Sequence, residues 1–184
     1  FYLVQMLLEN KKIAFISGLL WILNPFLITM IVFGHGSQMM TAAFFPITLY
    51  LLIRLKDKQS ISYMLLFALA LGLQLQRAHV QIAYYACMFL GFFFIYSFYK
   101  NRSKKYATLF FSAIVIAFLI ASHIYLPSLD YREMSIRSSD MGSFAYATNW
   151  SMHPKELLTY IIPNYYGFGG STYEGFMPFT DFPN

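Results

Sequence analysis

Four histidines, one arginine and three glutamines carry the most suggestive chemistry in this chain. His35 and Gln38 stand at the start of one apolar stretch, and His79 and Gln81 at the start of another, with Gln76 and Arg77 just before them. Each pair falls where a helix leaves backbone N–H groups unbonded and where its dipole favours an anion. Arg77 adds a permanent charge with planar donors suited to a phosphate. Together these groups would suit the phosphate or pyrophosphate of a lipid-linked substrate, so the candidate substrate-binding residues are His35, Gln38, Arg77, His79 and Gln81. Taken singly, each also reads as a helix cap or a contact to lipid headgroups.

Other chemistries find less footing. His35, His79 and His123 could converge on a metal, but no HxxxH or DxD spacing supports that, so no metal and no cofactor is expected. Ser37 and Ser151 lack the turn and the acid–base partners of a nucleophile. The lone Cys87 has no second thiol to pair with. Transfer to a hydroxyl acceptor would need a base within hydrogen-bond reach. Asp130 and Glu133 are the carboxylates nearest the proposed pocket, although no spacing marks either as catalytic.

The elements that hold these residues belong to a membrane. The chain has 58% hydrophobic and 11% charged residues, whereas soluble domains carry about a quarter charged. Apolar stretches at 13–33, 39–55, 61–75, 80–99 and 106–126 follow a short one at 1–8, and a span needs ~20 such residues. An all-α polytopic membrane protein is expected, with about five transmembrane helices and an N-terminal stub. Asn24-Pro25 should kink the first complete helix. The chain starts inside an apolar run and reads as an internal segment of a longer protein.

Charge sets the orientation. Nine of the thirteen basic residues lie in alternate turns, at Lys11 and Lys12, at Arg54, Lys56 and Lys58, and at Lys100, Arg102, Lys104 and Lys105. Short cytoplasmic loops collect lysine and arginine, so these turns are read as cytoplasmic and every histidine as outward. The net charge of +5 is thereby a topology signal, and no nucleic-acid partner is expected. After Leu126 the pattern changes, dividing a transmembrane region, 1–126, from an extracytoplasmic segment, 127–184. Within the latter, Ser151 is expected to cap a short interfacial helix through Ile162, with Pro154 in its first turn, followed by a loop rich in glycine and aromatic residues.

Several signatures occur in order: Gly34-His35-Gly36-Ser37-Gln38 with Ala42 to Pro46, His79 to Tyr85, Trp150 to Thr159, Ile162 to Gly170, and Pro178 to Asp181. In these the chain resembles the YfhO family of large bacterial membrane proteins. The resemblance implies a GT-C type glycosyltransferase of the bacterial cell membrane. Such an enzyme moves a sugar from a polyprenyl-phosphate donor to an extracytoplasmic acceptor such as a cell-surface glycopolymer. It also implies that the catalytic acid lies upstream of Phe1, and that His35, Gln38, His79 and Gln81 line the outer cavity. A lipid-linked sugar flippase or transporter, and a non-catalytic membrane scaffold, are the alternatives.

Overall fold

The computed structural model describes residues 1–77, 79–131, 153–162 and 165–166. Eight α-helices occupy the first long part: α1 (Tyr2–Leu8), α2 (Lys11–Ile22), α3 (Pro25–Val32), α4 (Gly36–Ala43), α5 (Phe45–Lys58), α6 (Ile61–Leu75), α7 (Val80–Asn101) and α8 (Lys104–Tyr131). Compact packing divides the chain into Phe1–Pro127 and Ser128–Asn184.

Four helical stretches are long and apolar enough to cross a membrane: Lys11–Val32, Gly36–Lys58, Val80–Asn101 and Lys104–Tyr131. The fifth expected span, α6, has 15 residues, about 22 Å at 1.5 Å per residue against a hydrocarbon core of about 30 Å. Its environment explains how so short a helix is accommodated. Met64, Phe67, Ala68, Leu71, Gly72 and Leu75 are all buried, so protein, not lipid, surrounds most of it. Around α6 the core gathers Leu52 and Leu55 of α5, Leu90 and Phe94 of α7, and Phe110, Ala113, Ala117 and Ala121 of α8. The rings of Phe94 and Phe110 stack with centroids 3.9 Å apart.

Short turns reverse the chain between the long stretches. Gln59 and Arg102 close α5 and α7 in the left-handed conformation, at φ 43° and 46°. Ser103 Oγ donates to Gln59 Oε1 at 2.8 Å, which ties the two lysine-rich turns together at one rim of the bundle. Gly34, at φ 73°, turns the chain at the opposite rim, where an L side chain would be strained.

Two of the four long stretches are discontinuous. The kink expected at Asn24-Pro25 is a full break, in which Leu23 and Asn24 leave the helix and Asn24 Oδ1 accepts from Phe26 N at 2.9 Å to start α3. The second break falls at Phe44, before Pro46. Proline has no N–H to reach the carbonyl of Ala42 four residues back, and that carbonyl accepts from Phe44 N in its place; Thr48 Oγ1 donates back to the carbonyls of Phe44 and Phe45 at 3.2 and 3.0 Å. The result is a hairpin of two packed eight-residue helices, α3 and α4, with Phe33 to His35 at its tip.

Two expectations about the end of the chain change. Helix α8 continues through Pro127 to Tyr131, because one proline inside a long helix removes a single backbone bond that neighbouring groups can replace. The short helix beyond it is a 3-10 helix, Pro154–Tyr160, capped by His153. His153 Nδ1 accepts from Lys155 N at 3.3 Å, while Glu156 Oε2 accepts from His153 N at 3.3 Å, a reciprocal cap two residues after the expected one. Ser151 itself, and the loop from 167 onward, lie outside the described residues.

Candidate functional site at the histidine rim

The candidate substrate residues gather at the rim opposite the lysine-rich turns. His35 precedes the first residue of α4 and is exposed, and its ring makes no capping hydrogen bond. Gln38 follows in the first turn, half-buried. His79 precedes α7, where its Nδ1 accepts from Ile82 N at 3.3 Å. That bond sets the imidazole tautomer, because a nitrogen that accepts carries no proton. The proton sits on Nε2, which is left as a donor. Helices α4 and α7 pack against each other, so both histidines stand on N-termini of adjoining helices.

Arg77 lies in the turn after α6, half-buried, with Nε donating to Leu73 O at 3.3 Å. This bond holds the side chain against its own helix and leaves the two terminal nitrogens of the guanidinium for a ligand. Gln81 Nε2 donates to Tyr85 Oη at 3.1 Å. Among the described residues none of these five side chains is hydrogen-bonded to another. Arg77, His79 and Gln81 are thus each anchored within their own stretch of chain, and no bond among the described residues joins the five into a network.

Asp130 is exposed on the last turn of α8, and Glu133 lies outside the described residues. His123, also on α8, places Nδ1 3.0 Å from Ile120 O. Among the described residues, no group of three or more His, Cys, Asp or Glu is arranged to hold a metal ion.

What the residue types alone did not reveal is the part played by the glutamines of α6. Gln74, close to the polar turn that holds Gln76 and Arg77, is only 1% exposed, and its Nε2 donates to Thr41 O at 3.0 Å beside the break at Phe44. Two residues on, Gln76 Nε2 donates to Ile120 O at 2.9 Å, and Tyr125 Oη donates to Leu75 O at 3.1 Å. The last turn of α6 thus clasps α4 on one side and α8 on the other. A signal was present: Gln74 keeps the helical spacing of Phe67 and Leu71, so it shares their buried face.

These features define a polytopic α-helical membrane protein with donors collected at one rim. A family described as the 6-pyruvoyl-tetrahydropterin synthase related domain, a membrane protein, matches residues 1–176, and the chain belongs to that family. No curated protein and no solved structure matches it.

Proposed function

We propose that the protein is a membrane glycosyltransferase of the GT-C type, related to the YfhO family. It would transfer a sugar from a polyprenyl-phosphate donor to an extracytoplasmic acceptor such as a cell-surface glycopolymer. The observation that carries this reading is the collection of Arg77, His35 and His79 at the ends of α6, α4 and α7 on one rim. The alternation of basic turns turns that rim outward from a bacterial cell membrane, with the segment 127–184 on the same side.

In this reading the terminal guanidinium nitrogens of Arg77 pair with the donor phosphate, and His79 donates from Nε2. His35 contributes at the uncapped start of α4, with Gln38 and Gln81 completing the pocket. As the sugar–phosphate bond breaks, negative charge grows on the departing phosphate, and donors already in place stabilise it most. A carboxylate must take the acceptor proton. Asp130 and Glu133 are the candidates within the chain.

The test is transfer by the full-length protein in vesicles supplied with a labelled polyprenyl-phosphate sugar. Arg77→Ala should lower turnover by about 10²- to 10³-fold, the usual effect of removing one donor to developing charge. Unchanged transfer at a normal protein level would remove Arg77 from the mechanism. The breaks at Asn24 and Phe44 favour a second reading, a flippase or transporter of lipid-linked sugar, since transporters build their sites from discontinuous helices. Movement of the donor between leaflets without sugar release would support it. Absence of donor binding would leave a membrane scaffold.

A further inference from the structure

The rim opposite the histidines is crowded with charge of one sign. Its turns at 54–58 and 100–105, tied together by the bond from Ser103 to Gln59, carry seven basic residues and one acidic one, Asp57. Asp57 Oδ1 is already paired with Lys56 Nζ at 3.1 Å. Arg54, near the end of α5 and half-buried, has no ion pair among the described residues.

Among these cations Arg54 has two rings and a hydrogen bond to hold it. The left-handed turn at Gln59, and the cap in which Ser60 Oγ accepts from Tyr63 N at 3.3 Å, bring the first turn of α6 back beside the end of α5. The guanidinium then lies over both tyrosines, 5.6 Å from the ring centroid of Tyr50 and 5.9 Å from that of Tyr63. Nε donates to Tyr50 Oη at 3.2 Å. Ring contact uses the flat faces of a guanidinium and leaves the N–H groups at its edge. With Nε spent on Tyr50, the two terminal nitrogens have no acceptor among the described residues. Lys58, one helical turn on and exposed, adds a second charge on the same face.

Toward the membrane centre from these tyrosines the surface is apolar. Ile47, three residues before Tyr50, is 51% exposed, and Leu66, three residues after Tyr63, is 48% exposed. That spacing keeps each on its tyrosine's face of the helix. A soluble phosphate would use the cations alone, whereas a ligand with a phosphate and long apolar chains would use both surfaces. We propose that Arg54 and Lys58 bind the phosphate of an anionic phospholipid, phosphatidylglycerol, in the leaflet at this rim, with its chains lying along Ile47 and Leu66. The edge of the guanidinium matches two phosphate oxygens. The surrounding lysines favour a lipid with net negative charge over one that carries its own cation. This inference concerns the rim away from the histidines and does not depend on the transferase reading.

The experiment places full-length protein in phosphatidylcholine vesicles with a trace of phosphatidylglycerol that carries a photoactivatable group in one chain, and maps the labelled residues by mass spectrometry. Labelling should fall on α5 and α6 around Ile47 and Leu66, about fivefold above that by a phosphatidylcholine probe of the same design, the weight of one cation near an anionic headgroup. Added phosphatidylglycerol should displace it, and glycerol 3-phosphate in the buffer should not. Arg54→Gln should lower labelling about fivefold, whereas Lys105→Gln, which removes the same charge from the other turn, should lower it less than about twofold. Arg54→Lys keeps the charge but loses the planar fork and the bond to Tyr50, so it should still lose about twofold or more. Equal labelling by the two probes in the unsubstituted protein, or displacement by glycerol 3-phosphate, would overturn the proposal. Equal losses in Arg54→Gln and Lys105→Gln would overturn the site in favour of a diffuse positive surface, and full labelling of Arg54→Lys would overturn the role of the guanidinium.

Discussion

The α3–α4 hairpin and the α6–α8 pair reach the same rim by opposite means. In the hairpin, two eight-residue helices are set off from the helices below by breaks at Asn24 and Phe44, and most of α3 faces outward, with Ile31 and Val32 exposed. In the α6–α8 pair the backbone is continuous and the helices nearly touch, because Gly72 meets Ile120 and Ala117 where any larger residue would intrude. Bridges from Gln76 and Tyr125 then lock the ends. Without a hydrophobic drive between helices in lipid, close approach and interhelical hydrogen bonds supply the association. The pair has both, whereas the hairpin relies on local caps. Stability should therefore concentrate in α6–α8, and movement at the rim should concentrate in the hairpin that carries His35.

Gly72→Ala tests that contrast most severely. The added Cβ would lie 2.8 Å from Ile120 Cγ2, 2.9 Å from Ile120 Cβ and 3.2 Å from the backbone oxygen of Ala117. A backbone oxygen and a β-carbon cannot swing away as a side-chain tip can. The substitution should cost about 1–3 kcal/mol, the usual range for overpacking, read as a lower midpoint of unfolding in mixed micelles. An unchanged midpoint would show that α6 and α8 are not locked.

Within the hairpin, Asn24→Ala removes the acceptor for Phe26 N. Loss of such a cap costs about 1 kcal/mol. The more telling readout is local: amide exchange at 26–28 should rise while the core of α6, around Phe67 and Leu71, keeps its protection. A rise spread equally over α6 would mean that the two regions are one cooperative unit and would break the comparison.

Much of this contrast could be read from the residues, though not all of it. Helix number, the alternation of turns and the interruption at Pro25 follow from apolar length, lysine placement and proline chemistry, all local properties. The break at Phe44 was hidden, although Pro46 was in view, because a proline is compatible with the first turn of a helix as well as with its interruption. The role of Gln74 was hidden because a glutamine close to a polar turn has the composition of that turn. Only packing against Thr41 distinguishes the two. The candidate rim was legible as a set of residue types at helix starts, since the N-terminus of a helix has its own chemistry. The tautomer of His79 and the tether on Arg77 were not, because each depends on where a backbone group ends up.

Tyr125→Phe is the finest probe of the locked pair, since it deletes one oxygen and leaves the ring. The Tyr125 hydroxyl donates to Leu75 O at the last residue of α6, a carbonyl that lies past the end of the helical ladder and has no regular partner. Interhelical hydrogen bonds in membranes average about 0.6 kcal/mol, because the partly unfolded state finds other partners. A fall in the unfolding midpoint equivalent to about that amount is expected, smaller than for Gly72→Ala. Combining the two substitutions distinguishes independent contacts from a single interface. If close approach at Gly72 is what brings Tyr125 within reach of Leu75, the double variant should lose less than the sum of the single losses. Additive losses would show that the Tyr125 bond forms however tightly the helices meet below it.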